Sequence, residues 1–88
     1  MPSIVMYTGD RCPYCARAKR LLETKGVAFE ERHIGLADNA AREALVQLTG
    51  RRTVPQIIID DTPVGGWDDL SALDKSGELD ILLGSATG

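Results

Sequence analysis

The first apolar segment of the chain, residues 3–7, has no polar residue after its serine, a pattern typical of a strand buried on both faces at the centre of a sheet. The next segment, residues 12–25, repeats apolar residues at helical spacing. Pro13 suits the first helical position, and Gly26 suits the residue after the last turn. The chain is therefore predicted to open with a central strand and a helix.

Two further elements have weaker patterns. Residues 27–34 contain Phe29 among alternating polar residues and predict a second strand, which a charged run interrupts. A second helix is predicted to begin after Asp38 or Asn39 and to end at Gly50. Its apolar face is expected to consist of four residues, Ala41, Ala44, Leu45 and Leu48.

The last third of the chain predicts two strands and a third helix. Residues 54–59 read as a strand introduced by a proline, and the aspartates 60–61 form a turn to a short edge strand at 62–64. The third helix follows two glycines and ends near Gly77, before a last short helical turn. Residues 84–88 are expected to fray.

The element order β-α-β-α-β-β-α predicts an α/β fold. A strand–helix–strand crossover requires the first two strands to be parallel, and a two-residue turn requires the last two to be antiparallel. The result is a mixed four-stranded sheet with helices on both faces. Because 88 residues are too few for two cores, residues 1–88 are expected to form a single domain.

The charge of the chain bears on its partners. A net charge of −3 makes wholesale binding to nucleic acid or to an anionic membrane a poor hypothesis. The charge is segregated, since residues 1–26 hold five cations and two acids, whereas residues 56–88 hold seven acids and one cation. Apolar runs are short and the N-terminal residues lack a signal-peptide pattern, so we expect a cytoplasmic protein without a membrane segment.

Two cysteines three positions apart carry the candidate chemistry. Cys12 is predicted at the N-terminus of the first helix, beside Arg11, where unpaired backbone N–H groups and the helix dipole stabilise a thiolate. Cys15 lies one turn further on the same side, where it can attack a mixed disulfide at Cys12. We therefore predict Cys12 as the nucleophile and Cys15 as the resolving thiol.

A metal site and a structural disulfide are weaker interpretations of this pair. A zinc site needs more ligands than the chain offers, because His33 is the only histidine, so no metal is expected. His33 itself has no identifiable partner in the sequence and is expected at the surface. A structural disulfide across so short a loop would constrain the unfolded chain very little. Redox chemistry is therefore the favoured interpretation of the two cysteines.

The motifs of the chain resemble those of a known family. Four of them keep that family's order and spacing: Tyr7-Thr8, Cys12-Pro13-Tyr14-Cys15, Thr53-Val54-Pro55, and Gly65-Gly66 followed by Asp68-Asp69. This combination extends over residues 3–83 and resembles the dithiol glutaredoxins of the small bacterial type. The resemblance implies a thioredoxin-like fold and a glutathione-dependent thiol-disulfide oxidoreductase.

The resemblance also implies a groove that binds glutathione. The sequence leaves the isomer of the Val54–Pro55 bond open, but the family implies cis, which turns the Val54 backbone toward the cysteines to pair with an extended peptide. The residues expected to bind glutathione are Arg11, Tyr14, Arg51, Arg52, Thr53, Val54, Pro55, Gly66, Trp67, Asp68 and Asp69. The arginines of this set would meet the carboxylates of glutathione, and the aspartates would meet its ammonium group.

Three side chains carry more specific expectations. Many glutaredoxins have a lysine three positions before the first cysteine, where this chain has Gly9. Arg11 is expected to take over part of the role of that lysine. Tyr14 is expected to form a wall of the groove, and Trp67 either to line the groove or to pack the third helix.

The implied activity is the reduction of protein–glutathione mixed disulfides, with glutathione as the reductant and no tightly bound cofactor. Protein disulfides, such as those of ribonucleotide reductase, would require both cysteines. One alternative is a glutaredoxin-like electron donor recharged by thioredoxin reductase. Another is a dimer that holds a 2Fe–2S cluster with glutathione, although the family does this chiefly with a single cysteine and a glycine in place of Pro13. A monomer is expected.

Overall fold

The computed structural model describes residues 3–35 and 37–84. Eight elements follow one another in these residues: β1 (Ile4–Gly9), α1 (Pro13–Thr24), β2 (Glu30–Ile34), α2 (Asn39–Thr49), β3 (Gln56–Ile59), β4 (Thr62–Gly65), α3 (Trp67–Ser76) and α4 (Glu78–Leu83). The predicted order is confirmed, and the last helical turn is a short helix of its own.

The four strands form one mixed sheet with the order β2-β1-β3-β4. β1 pairs in parallel with β2 and antiparallel with β3, and β4 is the antiparallel edge strand. β1 is therefore an inner strand, as its apolar sequence predicts. The parallel pair needs α1 as its crossover, and this connection places the N-terminus of α1 at the end of β1.

One face of the sheet packs against α1, α3 and α4. Met6 of β1 and Ile57 of β3 are fully buried in one cluster with Leu22 of α1, Leu70 of α3 and Leu79 of α4. The apolar periodicity of α1 predicts its inward face correctly. This cluster fixes the direction of α1 and therefore the position of its first turn.

The opposite face of the sheet is covered by α2. Side chains alternate along a strand, so Ile58 lies on the face opposite to Ile57 and Ile59. Ile58 and Leu45 of α2 are both buried outside the cluster that contains Ile57 and Ile59. Helices therefore lie on both faces of the sheet, as predicted.

The predicted apolar face of α2 is wrong at two of its four positions. Leu45 is buried, but Leu48 is 48% exposed and Ala44 is also exposed. Of the helix, only Leu45 is buried. The helix thus contacts the sheet along a narrower stripe than its sequence spacing predicts, and the outer positions remain in solvent.

Two predictions about strands also need correction. β1 is not buried evenly on both faces, because fully buried and partly exposed residues alternate along it. β2 begins at Glu30 instead of residue 27. Val27 and Phe29 pack against the core from the segment before the strand, so their apolar character does not require a strand.

The described chain ends at Gly84, which closes α4 in the left-handed conformation with φ 76°. Fraying is predicted for residues 84–88. Residues 85–88 lie outside the described ranges. None of the helices in residues 3–35 and 37–84 has the length and apolar character needed to cross a membrane.

Candidate active site

Both cysteines lie in the first turn of α1, at the end of β1. Cys12 is the N-cap residue in an extended conformation, and the backbone N–H of Cys15 donates to its sulfur at 3.1 Å. Pro13, the first helical residue, costs the helix no hydrogen bond because an N–H at that position has no partner within the helix. The two sulfurs form a disulfide.

The two cysteines differ in accessibility. Cys15 is 3% exposed and belongs to the buried side of α1, whereas Cys12 is only half-buried. A large molecule can therefore reach the sulfur of Cys12 but not that of Cys15. This asymmetry is what a nucleophile and a resolving thiol require.

The segment before β3 approaches Cys12 through a cis peptide bond. The bond between Val54 and Pro55 is cis, the isomer that the resemblance implies. The carbonyl oxygen of Val54 lies 3.6 Å from the sulfur of Cys12. On the other side, a Cβ atom at Gly66 would come within 3.1 Å of the Pro55 carbonyl oxygen, so the start of α3 packs closely against this segment.

Gly9, at the end of β1, also touches this segment. A Cβ atom at this position would lie 3.0 Å from Cγ2 of Val54, which is closer than ordinary van der Waals contact. A side chain at position 9 would therefore require the Val54 side chain to shift by a few tenths of an ångström. The glycine that replaces the lysine of many glutaredoxins fits this close approach.

An open groove of about 230 Å³ lies between the first turn of α1 and the start of α3. Nine of the residues predicted to bind glutathione line it: Tyr14, Arg51, Thr53, Val54, Pro55, Gly66, Trp67, Asp68 and Asp69. The sequence left open whether Trp67 lines the groove or packs the third helix. Trp67 lines the groove and also packs against the core. Tyr14, which is 52% exposed, contributes from α1.

Gln56 is a lining residue that the sequence did not reveal. It is 1% exposed, and its side-chain Nε2 donates to Oγ1 of Thr53 at 3.3 Å. The hydrogen bond stabilises the segment that contains the cis peptide bond. The available signal was a polar residue at the head of a strand of three isoleucines, since a buried polar side chain needs a partner.

Asp69 joins the two sides of the groove. Its Oδ2 accepts a hydrogen bond from Nη1 of Arg51 at 2.8 Å and another from the N–H of Gly66 at 3.1 Å. These donors, the Arg51 guanidinium first and the Gly66 N–H second, hold the pKa of the Asp69 carboxyl below its ordinary range. The sequence predicts a cationic and an acidic end of the groove, and the ion pair between Arg51 and Asp69 brings one residue of each end into contact. Asp68, which is exposed and has no partner among the described residues, is the open carboxylate of the groove.

Two residues predicted to bind glutathione lie outside the groove. Arg52 donates from Nη1 to Oε1 of Glu43 at 2.8 Å, so its side chain is directed toward α2, unlike that of the neighbouring Arg51. Arg11 is exposed, has φ 51°, and contacts no carboxylate among the described residues.

His33 has a partner that the sequence did not reveal. Its Nε2 lies 2.9 Å from Oδ1 of Asp10, in the loop that leads to Cys12. This contact corrects the expectation that the histidine is unpaired. Across residues 3–35 and 37–84, no group of three or more metal-binding side chains comes together.

Comparison with known proteins identifies the family. The family model for glutaredoxin matches residues 4–64. The chain belongs to the glutaredoxin family. Glutaredoxin 3 of Escherichia coli (strain K12) is 52% identical over 84 residues, which are 94% of this chain and 99% of that protein. A glutaredoxin of Pseudomonas aeruginosa is 51% identical over 83 residues, covering 94% of this chain and 98% of that protein.

Solved glutaredoxin structures share the fold. The crystal structure of a buckwheat glutaredoxin–glutathione complex has a TM-score of 0.81 and 32% identity, over 96% of this chain and 78% of that one. Glutaredoxin 1 from Francisella tularensis, complexed with cacodylate, has a TM-score of 0.75 and 33% identity, over 86% of this chain and 95% of that one. With the Cys12–Cys15 disulfide, membership of this family makes the protein a thiol-disulfide oxidoreductase of thioredoxin-like fold.

Proposed function

We propose that the protein uses glutathione to reduce protein–glutathione mixed disulfides and protein disulfides. The observation that carries this proposal is the groove beside Cys12, whose Val54 carbonyl oxygen lies 3.6 Å from the Cys12 sulfur. The similar buckwheat protein was crystallised in complex with glutathione, which supports the assignment. Protein disulfides such as those of ribonucleotide reductase fall within the same proposal.

Glutathione lies in this groove as a short extended strand. Its backbone pairs with the N–H and C=O of Val54, which the cis peptide bond turns toward the cysteines. Asp68 meets its ammonium group, and Arg51 and the backbone N–H groups at the start of α3 meet its carboxylates. Arg52, whose side chain pairs with Glu43, lies outside the groove.

The first step is a thiol-disulfide exchange at Cys12. The Cys12 thiolate attacks the glutathionyl sulfur of a mixed disulfide, a bond forms between Cys12 and glutathione, and the substrate leaves as a thiolate that takes a proton from water. A second glutathione thiolate attacks the same glutathionyl sulfur, which releases oxidised glutathione and regenerates the Cys12 thiolate. The Cys15 N–H, 3.1 Å from the Cys12 sulfur, and the dipole of α1 stabilise that thiolate.

Protein disulfides require the second cysteine. Cys12 attacks one sulfur of the substrate disulfide, and the Cys15 thiolate then attacks Cys12, releasing the dithiol substrate and forming the Cys12–Cys15 disulfide. Two molecules of glutathione reduce that disulfide in turn. Cys15 needs no access from solvent for this step, which agrees with its burial.

Turnover with glutathione, glutathione reductase and NADPH tests the proposal on two substrates, a glutathionylated protein and a protein disulfide. The wild type is expected to reduce both. C15S is expected to keep the first activity and to lose the second, and C12S is expected to lose both. Loss of both activities in C15S would contradict the assigned roles.

Two further measurements on the same protein test the alternative functions, an electron donor recharged by thioredoxin reductase and a cluster-binding dimer. Turnover supported by thioredoxin reductase but not by glutathione would replace the proposal with a glutaredoxin-like electron donor. A visible absorption band after anaerobic reconstitution with iron and sulfide would indicate a cluster-binding dimer, because only the cluster form is coloured.

A further inference from the structure

The exposed face of α1 next to Cys12 carries cations without carboxylate partners. Arg17 and Arg20 are exposed and lie about one turn apart on the helix, and Arg11 is exposed directly before Cys12. In the part of the chain that the structure describes, none of the three forms an ion pair. Arg17 instead lies over the ring of Tyr14, with Cζ 5.2 Å from the ring centroid. We name these four residues, Arg11, Tyr14, Arg17 and Arg20, the basic surface.

Most other cations of the molecule are already neutralised. Five of them pair with carboxylates of the described residues: Lys19, Lys25, Arg32, Arg51 and Arg52. The first acid after Cys12 in the sequence is Glu23, at the far end of α1. No carboxylate of α1 therefore lies between Cys12 and the last of these arginines, Arg20.

The opposite charge dominates the other half of the chain. Residues 56–88, which include β3, β4, α3 and α4, hold seven acids and one cation. An acidic partner is repelled by that half and attracted by the first turns of α1, so the two halves together orient its approach.

We propose that the basic surface binds an acidic segment of the protein substrate, adjacent to the cysteine that Cys12 attacks. The inference rests on the proposed function and names the class of substrate that it favours. Tyr14 connects the two binding regions, since it lines the groove and also stacks with Arg17. Glutathione occupies the groove, and the protein part of the substrate extends over α1.

The spacing of the cations sets the position of the acids in that segment. Arg17 and Arg20 follow Cys12 by five and eight positions, or about 7.5 and about 12 Å along a helix that rises about 1.5 Å per residue. An extended peptide advances about 3.3 to 3.6 Å per residue. Acidic side chains two to four residues from the reacting cysteine would therefore meet Arg17 and Arg20.

Three peptides of equal length test the proposal, each with one glutathionylated cysteine. They carry aspartate, asparagine or lysine at the second to fourth positions on either side of that cysteine. In the glutathione-coupled assay the wild type is expected to reduce the aspartate peptide with a kcat/KM about fivefold above the asparagine peptide, and the lysine peptide more slowly. The ratio is expected to approach one as salt rises from about 0.01 M to about 1 M, where the Debye length falls from about 30 Å to about 3 Å.

Charge-reversal variants locate the effect on α1. R20E changes an exposed residue that forms no hydrogen bond or ion pair among the described residues, and it is expected to lower the preference. R17E/R20E is expected to reverse it. K75E is the matched control, because Lys75 is also exposed and unpaired there but lies in the last turn of α3. It is expected to keep the wild-type ratio. Turnover of a small neutral mixed disulfide is expected to be the same in R20E and K75E.

A second measurement separates failure of this inference from failure of the proposed function. The protein is reduced with dithiothreitol, freed of it, and mixed with peptides of the same three charges that contain an internal disulfide, so that one turnover proceeds without glutathione. Equal rates for the three peptides at low salt, or equal losses of preference in R20E and K75E, would overturn the basic surface as a binding site. If the glutathione-coupled assay shows no turnover but the single turnover still shows a charge preference, only the role of glutathione is overturned.

Discussion

Gly9 ends β1 at a point where a Cβ atom would lie 3.0 Å from Cγ2 of Val54. G9A is therefore expected to shift the side chain of Val54, the residue whose carbonyl oxygen borders Cys12, by a few tenths of an ångström. Overpacking of this kind costs about 1 kcal/mol or more, and the displacement should lower kcat/KM for a glutathionylated substrate. Urea unfolding and the glutathione-coupled assay measure the two effects.

G35A is the matched control for this change. A Cβ atom at Gly35 meets no other atom within 4 Å, and both substitutions restrict the unfolded chain to the same extent. G35A is expected to keep wild-type activity and to raise the unfolding free energy by up to about 1 kcal/mol, a gain that the close approach to Val54 offsets in G9A. Equal behaviour of the two variants would show that the approach of Val54 to Gly9 has no consequence.

Asp69 makes a prediction about pH. Because Arg51 and the Gly66 N–H lower the pKa of Asp69 in the folded state, its stabilising contribution is fully present above the ordinary aspartate value of about 3.8. The contribution is lost as pH falls through the lowered pKa. The difference in unfolding free energy between wild type and D69N is therefore expected to be constant near neutral pH and to shrink below about pH 3.8. A difference that does not change with pH would contradict the ionised pair.

At the scale of elements, α2 separates a buried leucine from an exposed one. L45A removes a side chain that is 1% exposed and is expected to cost about 2 to 5 kcal/mol of unfolding free energy. L48A removes one that is 48% exposed and is expected to change stability by no more than about 0.5 kcal/mol. Comparable losses of unfolding free energy in L45A and L48A would instead support the wider apolar face that the sequence predicts.

Lys25 holds the end of α1 to the other two helices on its face of the sheet. Its Nζ lies 2.8 Å from Oδ1 of Asp74 in α3 and 2.8 Å from Oδ1 of Asp80 in α4. These carboxylates raise the pKa of Lys25, so the ammonium stays charged at neutral pH. K25Q is expected to lower the Tm more than K75Q, which removes an exposed lysine without an ion pair in the described part of the chain. The difference in Tm between K25Q and K75Q is expected to become smaller as salt is added. Equal Tm values for the two variants at low salt would contradict the bridging role of Lys25.

At the scale of the whole molecule, the order of strands and helices is readable because each element has its own apolar period and its own glycine or proline boundary. The width of a buried face is not readable in the same way, because it depends on how much sheet lies beneath the helix. Leu45 and Leu48 share a helical face in sequence, yet only Leu45 is buried. Val27 and Phe29 show the converse, since they reach the core from outside any strand.

The features of the active site also differ in how far the sequence predicts them. The helix start at Cys12 follows from local signals, but the cis bond before Pro55 was implied by family resemblance alone. Arg51 and Arg52 are equivalent in sequence, and only the fold directs the first to Asp69 and the second to Glu43. Side-chain direction at a loop depends on contacts between distant segments, which a single sequence does not display.

The sulfur that reacts is also the atom that accepts the N–H of Cys15 at the beginning of α1. Charged acceptors form stronger hydrogen bonds than neutral ones, so the thiolate binds that N–H more strongly than the disulfide sulfur does. Reduction of the disulfide is therefore expected to strengthen this hydrogen bond, and oxidation to weaken it. The first turn of α1 and the redox state of Cys12 are therefore coupled, so a change that weakens this turn is expected to shift the equilibrium from the dithiol toward the disulfide.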